Sequence, residues 1–225
     1  MADLSGLTTL RLGMIEDFDA EVTPGLLSAL AQELKGCRFL LETGASHRLL
    51  DQLDSRSLDI VVAADLGAES SVGDWREVHP VLTEPFLAVT PKGKKHSDLP
   101  LIQYTARHLM GRQIGGHRAR QNIRLTRRFE LDSCRAILAM VAAGQGWTIL
   151  TPLALHRATR FREGVDVAPL PFEPLERTLA LSARAGVLRD IPAQVAERLR
   201  NLIQTQIVDP AQADWPWLAQ TLRVL

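Results

Sequence analysis

The chain has 225 residues, of which 46% are hydrophobic, 23% charged and 5% aromatic, and its formal net charge is zero. These values exclude a disordered, collagen-like or coiled-coil chain and leave one soluble globular unit or two small lobes, with a core of Leu, Val, Ile and Ala. The neutral balance excludes a uniformly basic polyanion binder, yet it hides a local asymmetry: residues 1–90 carry 6 basic and 15 acidic side chains, a net of −9, whereas residues 91–128 carry 10 basic ones against the single acid Asp98, a net of +9.

Taken in chain order, Leu10–Ile15 is a short apolar run with Arg11 on one side, closed by Glu16-Asp17-Phe18-Asp19, and it reads as a strand ending in a loop. Thr23-Pro24 predicts a helix start, with Thr at the N-cap and Pro at the first helical position, where the missing amide is not needed. Leu26, Leu27, Leu30, Ala31 and Leu34 follow at helical spacing, and Lys35-Gly36 ends the helix. Arg38–Glu42 predicts a second strand, Thr43-Gly44-Ala45 a turn, and Ser46 the N-cap of a helix whose apolar face is Leu49, Leu50 and Leu53. Asp59 then introduces Ile60–Ala64, a continuous apolar run expected of a central strand covered on both faces. Strand and helix alternate, which predicts parallel pairing through right-handed crossovers.

The pattern restarts after Pro85. Phe86–Val89 reads as a strand, Pro91–Lys95 as an exposed basic turn and Leu101–Tyr104 as a short strand. An arginine-rich stretch leads to Arg128, followed by a strand around Phe129–Leu131 and a helix capped by Asp132 or Ser133 that runs through Ile137, Leu138 and Val141. Gly144-Gln145-Gly146 breaks that helix before the strand Trp147–Leu150, which stops at Thr151-Pro152. Thr178–Ala183 is a late strand, and Ile191–Ile207 a final amphipathic helix with Val195, Leu199, Leu202 and Ile203 on one side. Cys37 and Cys134 each sit in an apolar periodic stretch and are expected to be buried thiols in a reducing compartment. Neither a signal peptide nor a stretch of ~20 apolar residues is present, so a cytoplasmic protein with no membrane contact is expected.

These pieces, in this order and at these separations, resemble the effector-binding domain of the LysR-type transcriptional regulators over about Leu10–Ile207. The resemblance is carried by LRLG at positions 10–13, by Thr23-Pro24-Gly25-Leu26-Leu27, by E-x-G-x-S-x-x-L-L-x-x-L from Glu42 followed by Leu58-Asp59-Ile60, and most specifically by Glu130-Leu131-Asp132-Ser133 with the run Leu138–Pro152. It implies an α/β fold of two Rossmann-like lobes joined by two crossover strands, as in the type 2 periplasmic binding proteins. Residues 8–90 with 184–208 would form lobe I, residues 91–183 lobe II and residues 209–225 a C-terminal tail. Phe86–Val89 and Thr178–Ala183 would be the crossovers. It also implies a non-enzymatic domain without a cofactor that holds a small-molecule effector between its lobes and pairs as an antiparallel homodimer, lobe I to lobe II. DNA would be contacted only through an N-terminal winged helix-turn-helix, which does not fit into the nine residues before Leu10.

Open α/β sheets bind ligands at the carboxyl ends of strands, where helix N-termini present unpaired amides. Four such ends are expected to bind effector: Ile15, Glu16 and Asp17; Thr43, Gly44, Ala45 and Ser46; Gln103, Tyr104 and Thr105; and Asp132 with Ser133. The resemblance implies the same positions. Glu16 and Asp17 would repel an anion and so suggest a cationic, amine-bearing or hydroxylated effector; the other reading makes them solvated loop acids near a helix N-terminus. The stretch Arg107–Arg128 holds seven arginines and no acid. It lacks interleaved aromatics and regular spacing, so a nucleic-acid contact is set aside in favour of charge complementarity across the dimer, with a plain solvated face as the remaining reading.

The six histidines lack zinc-ligand spacing, so no metal is expected. Two other functions share the fold. A prephenate dehydratase-like enzyme would use a Thr-Arg-Phe motif, which Thr159-Arg160-Phe161 spells, but here it follows a helix in a loop and the Gly-Pro-rich opening is missing. A periplasmic solute receptor would need export.

Overall fold

The computed structural model describes residues 7–18, 22–65 and 75–225. In chain order the elements are β1 (Thr9–Ile15), a 3-10 turn (Glu16–Phe18), α1 (Val22–Glu33), β2 (Arg38–Gly44), α2 (Ser46–Asp54), β3 (Ile60–Ala64), β4 (Arg76–Pro85), β5 (Leu87–Pro91) and β6 (Leu101–Tyr104). Then come α3 (Leu109–Arg120), β7 (Arg127–Leu131), α4 (Cys134–Ala142), β8 (Thr148–Leu150), α5 (Pro152–His156), β9 (Val165–Pro169), β10 (Glu176–Arg184), α6 (Ile191–Ile203), α7 (Asp209–Asp214) and β11 (Arg223–Val224). The chain divides into two compact units, Met1–Thr83 with Arg177–Leu225, and Glu84–Glu176.

The first unit is built on a six-stranded sheet in the order β11-β4-β10-β3-β1-β2. β1 pairs in parallel with both β2 and β3, as the strand–helix alternation predicts, and β10 returns antiparallel to β3. All five residues of β3 are buried, so the apolar run at Ile60–Ala64 is a central strand. At the amino end of this group Arg11 grips Asp59 with two guanidinium bonds of 3.0 and 2.7 Å, while its backbone amide donates to the same carboxylate. That hydrogen bond and charge push the Arg11 guanidinium above its ordinary value.

Four local readings change. Thr23 is not the cap of α1: the helix begins at Val22, and the Thr23 hydroxyl, buried inside the first turn, donates to the Phe18 carbonyl at 2.8 Å. Ser46 is likewise the first helical residue of α2 rather than its cap, which is Ala45. β4 adds a strand over Arg76–Pro85, a stretch to which no element is assigned above. Finally, the last helix gives way after Ile203 to a π-helical turn over Gln204–Val208, and the tail then closes on the first unit, with Leu218 and Leu222 fully buried and β11 paired to Leu82 and Thr83 of β4.

The second unit holds an antiparallel sheet, β8-β5-β9, and a parallel pair, β6-β7, joined through a bridge between Leu101 and Trp147. Trp147 is fully buried. α4 is C-capped by Ala143 and followed by Gly144 at a φ of 77°, the left-handed position where a glycine stops a helix without steric cost. Among the described residues no helix is long and apolar enough to cross a membrane. The two thiols differ from the expectation in one respect: Cys134 is buried, but Cys37 is only half-buried. Its thiol donates to the Arg38 carbonyl at 3.6 Å, and burial raises its pKa.

Candidate functional site

Parallel pairing brings the expected residues together within each unit. In the first, the register Ile15↔Gly44 sets Ile15, Glu16 and Asp17 beside Thr43, Gly44, Ala45 and Ser46. In the second, Gln103↔Glu130 and Tyr104↔Leu131 set Gln103, Tyr104 and Thr105 beside Asp132 and Ser133.

In the first unit, α2 has Ala45 at its N-cap and so no side-chain cap, and its first-turn amides are not used by a capping oxygen. Ser46 does not supply one because its hydroxyl accepts from the Ala64 amide at 3.1 Å, tying the helix start to the end of β3. Thr43 is exposed and Ile15 buried. Asp17 is not a solvated loop acid: its Oδ2 accepts from Arg177 Nη2 at 3.0 Å, with side-chain exposures of 12% and 5%. Asp17 is thus already paired inside the unit and does not by itself select a cation. Glu16 is the exposed carboxylate of the turn. Arg177 was not foreseen; it lies 160 positions from Asp17 and nothing in the local sequence marks it.

In the second unit, the Tyr104 hydroxyl donates to the Asp132 carbonyl at 3.0 Å and cross-links the two strand ends. Thr105 is buried, and its hydroxyl accepts from the Arg107 amide at 3.4 Å. Ser133, not Asp132, caps α4, accepting from the Ala136 amide at 3.3 Å. Asp132 is exposed and faces Arg107 at 3.8 Å, a solvated pair worth little. Gln103 is buried, and its carbonyl oxygen accepts from Arg118 at 3.4 Å.

Arg118 overturns the picture of the arginine-rich stretch as a uniformly solvated face, since it is only 9% exposed. Burial first, and then the charge of Arg127, push its guanidinium below the ordinary value. A signal for this was present in the sequence. Gly111, Gly115 and Arg118 fall at i, i+4 and i+7, on one face of α3, and the glycine at 111 lets the start of the helix sit against the end of β6. Gly111 shows how close: a Cβ there would lie 2.1 Å from the Thr105 carbonyl oxygen. Thr159-Arg160-Phe161 forms a 3-10 turn rather than a strand.

The model of the LysR substrate binding domain family matches residues 6–205. The DNA-binding transcriptional dual regulator OxyR of Escherichia coli K12 is 30% identical over 203 residues, which cover 85% of this chain and 65% of that protein. The hydrogen peroxide-inducible genes activator of Dickeya chrysanthemi is 30% identical over 207 residues, 87% of this chain and 66% of that protein. The chain thus spans just under two thirds of the length of these relatives. Among solved structures, a cysteine-to-serine mutant of Corynebacterium glutamicum OxyR with hydrogen peroxide bound superposes with a TM-score of 0.73 at 22% identity, covering 95% of this chain and 70% of that one. The reduced form of OxyR from N. meningitidis gives 0.68 at 20% identity, covering 89% and 98%. These structures share the two-lobed α/β fold of the type 2 periplasmic binding proteins, and from the family match the chain belongs to the LysR substrate-binding domains.

Proposed function

We propose that this chain is the effector-sensing domain of a LysR-type transcriptional regulator. It binds a small molecule at the strand ends described above, without turnover, and the bound state biases a homodimer that carries DNA-binding segments. One observation supports this above all: over the residues that match the family, parallel pairing assembles the strand ends where sheets of this class hold ligands. The regulator works in the cytoplasm, and its dimer pairs lobe I with lobe II antiparallel, setting the −9 of residues 1–90 against the +9 of residues 91–128 twice over. The uncapped start of α2 and the neutralised Asp17 favour an effector rich in hydrogen-bond acceptors over a cation.

The test is a thermal-shift screen against amino acids, polyamines, aromatic acids and sugar acids, repeated with Thr43→Ala and Glu16→Gln, both exposed positions. A ligand of the folded state raises the melting temperature by mass action. A hit weakened by either substitution supports the strand-end site, and a hit indifferent to both removes it.

The names of the relatives favour a second reading, a response to hydrogen peroxide. Peroxide oxidises a thiolate: the sulfur takes one oxygen to become a sulfenic acid as the O–O bond breaks, and the other oxygen leaves as water. Cys37, with its pKa raised, is poorly suited. Cys134 stands at the first position of α4, where a helix N-terminus favours an anion, but it is only 6% exposed, which slows a thiol's reaction. Sulfenic-acid trapping at Cys134 after peroxide treatment would support this reading; two unmodified thiols would reject it.

A further inference from the structure

The second unit carries a groove of about 570 Å³ beneath α3, large enough for a small metabolite. Its walls include Gln103, Arg112, Arg118, Arg124 and Arg127, and none of the lining residues is acidic. Gly115 lines it, and a Cβ added there would meet nothing within 4 Å, so the helix presents open space rather than a packed side chain. Arg118 lines the groove at 9% exposure, and among the described residues its Nε has no hydrogen-bond partner. Among the described residues its one hydrogen bond is the long one, 3.4 Å, to the neutral Gln103. Arg112 instead turns one amino group to the carbonyls of Ala106 and Arg107 at 3.4 and 3.2 Å.

A buried guanidinium beside other arginines and without a carboxylate is unstable by itself. Taking a cation out of water is costly unless an anion or several acceptors compensate, and like charges nearby add to the cost. The buried Arg118 Nε–H has no acceptor, and a guanidinium presents its donors in the fork geometry that takes two oxygens of one oxyanion. We infer that the groove under α3 is a second ligand site, distinct from the exposed strand-end residues, that binds a small multivalent oxyanion such as a phosphate, a sulfate or a dicarboxylate, with Arg118 as its anchor. Arg124 and Arg127 supply further charge at the rim, and Gln103 links the anchor to the end of β6. The inference does not rest on the effector reading, because every residue involved lies between positions 103 and 127 of one unit, and binding is read without DNA.

The experiment titrates the whole chain with inorganic phosphate, sulfate, succinate and, as a monovalent control, acetate, at constant ionic strength, by thermal shift and calorimetry. The variants are Arg118→Met, which removes the anchor, and Gly115→Leu, which fills the groove while leaving every arginine in place. Arg135→Met, on the exposed side of α4, controls for net charge. Saturable binding of at least one multivalent anion is expected in the wild type and in Arg135→Met, with at least a tenfold loss of affinity in both groove variants and unchanged far-UV circular dichroism. The Arg118 Nε–H resonance should shift on titration. Absence of saturable anion binding, or binding that survives both groove variants, would overturn the site. So would binding confined to duplex DNA and lost in the same variants, which would make the groove a polyanion contact instead.

Discussion

Each unit buries an arginine, and the two are held in opposite ways. Arg177 in the first unit, 5% exposed at its side chain, meets the Asp17 carboxylate at 3.0 Å. Arg118 in the second is comparably buried but faces a neutral amide, an unused Nε and a second arginine. A buried cation that the chain neutralises itself is part of the scaffold. One that it leaves unneutralised is costly to fold, and such a cost is tolerated where a ligand completes the site. Equal burial can therefore mean structure in one place and recognition in another, and the partner decides which.

The sharpest way to test this contrast is to remove the partner that exists. Asp17→Ala removes the carboxylate that Arg177 meets at 3.0 Å in a buried pair and is expected to cost about 3–5 kcal/mol in urea denaturation. Gly111→Ala comes next. It forces a methyl to within 2.1 Å of the Thr105 carbonyl, lifting α3 off the sheet at a cost of about 1–3 kcal/mol and weakening whatever binds beneath the helix. Arg118→Met should go the other way, gaining ~1 kcal/mol in anion-free buffer because an unpaired buried charge is replaced by an apolar side chain. A loss there comparable to that of Asp17→Ala would erase the distinction between the two arginines. Ser133→Ala removes the cap of α4 and is expected to cost about 1 kcal/mol.

The smallest effect is at Cys37. Burial raises its folded pKa, so the folded chain holds the thiol proton more tightly than the unfolded chain does. Its alkylation rate should reach half-maximum at a higher pH than that of an unfolded cysteine, near 8.5. Its contribution to stability is present below that pH and is lost as the pH rises through the folded pKa. A half-maximum at or below the unfolded value would show the thiol to be activated and would return it to the peroxide reading.

What could be read from the sequence follows from how local the cause was. β3 was legible because five consecutive apolar residues need no distant information to be buried. The four strand ends were legible because the alternation of strand and helix dictates parallel pairing, and pairing dictates which ends adjoin. Local rules failed where a side chain found a better partner elsewhere: Ser46 serves the end of β3 instead of its own helix, and Thr23 turns back to Phe18. β4 went unread, and part of what holds it is remote: the Pro80 carbonyl is gripped by Arg200 from far along the chain. The role of Asp17 was misjudged because charge was read without its partner, and Arg177 could only be found in three dimensions. Arg118 was visible as one of seven arginines, but its burial shows only in three dimensions, on a helix that Gly111 brings against the Thr105 carbonyl.

The pairing of β11 with β4 has a consequence for how copies of the chain avoid one another in solution. In the six-stranded sheet one border is β2, whose outer strand carries Arg38 and Glu42, and the other is β11. Without Arg223–Val224, the backbone of β4 around Leu82 and Thr83 would offer unsatisfied amides and carbonyls to any strand of matching shape, including β4 of another molecule. The closing turn is anchored by buried Leu218 and Leu222 and by Gln212, whose amide donates to the Leu222 carbonyl at 2.8 Å. Chains cut before this turn would thus be expected to grow by strand addition and to precipitate, with a loss of solubility that has nothing to do with ligand sensing.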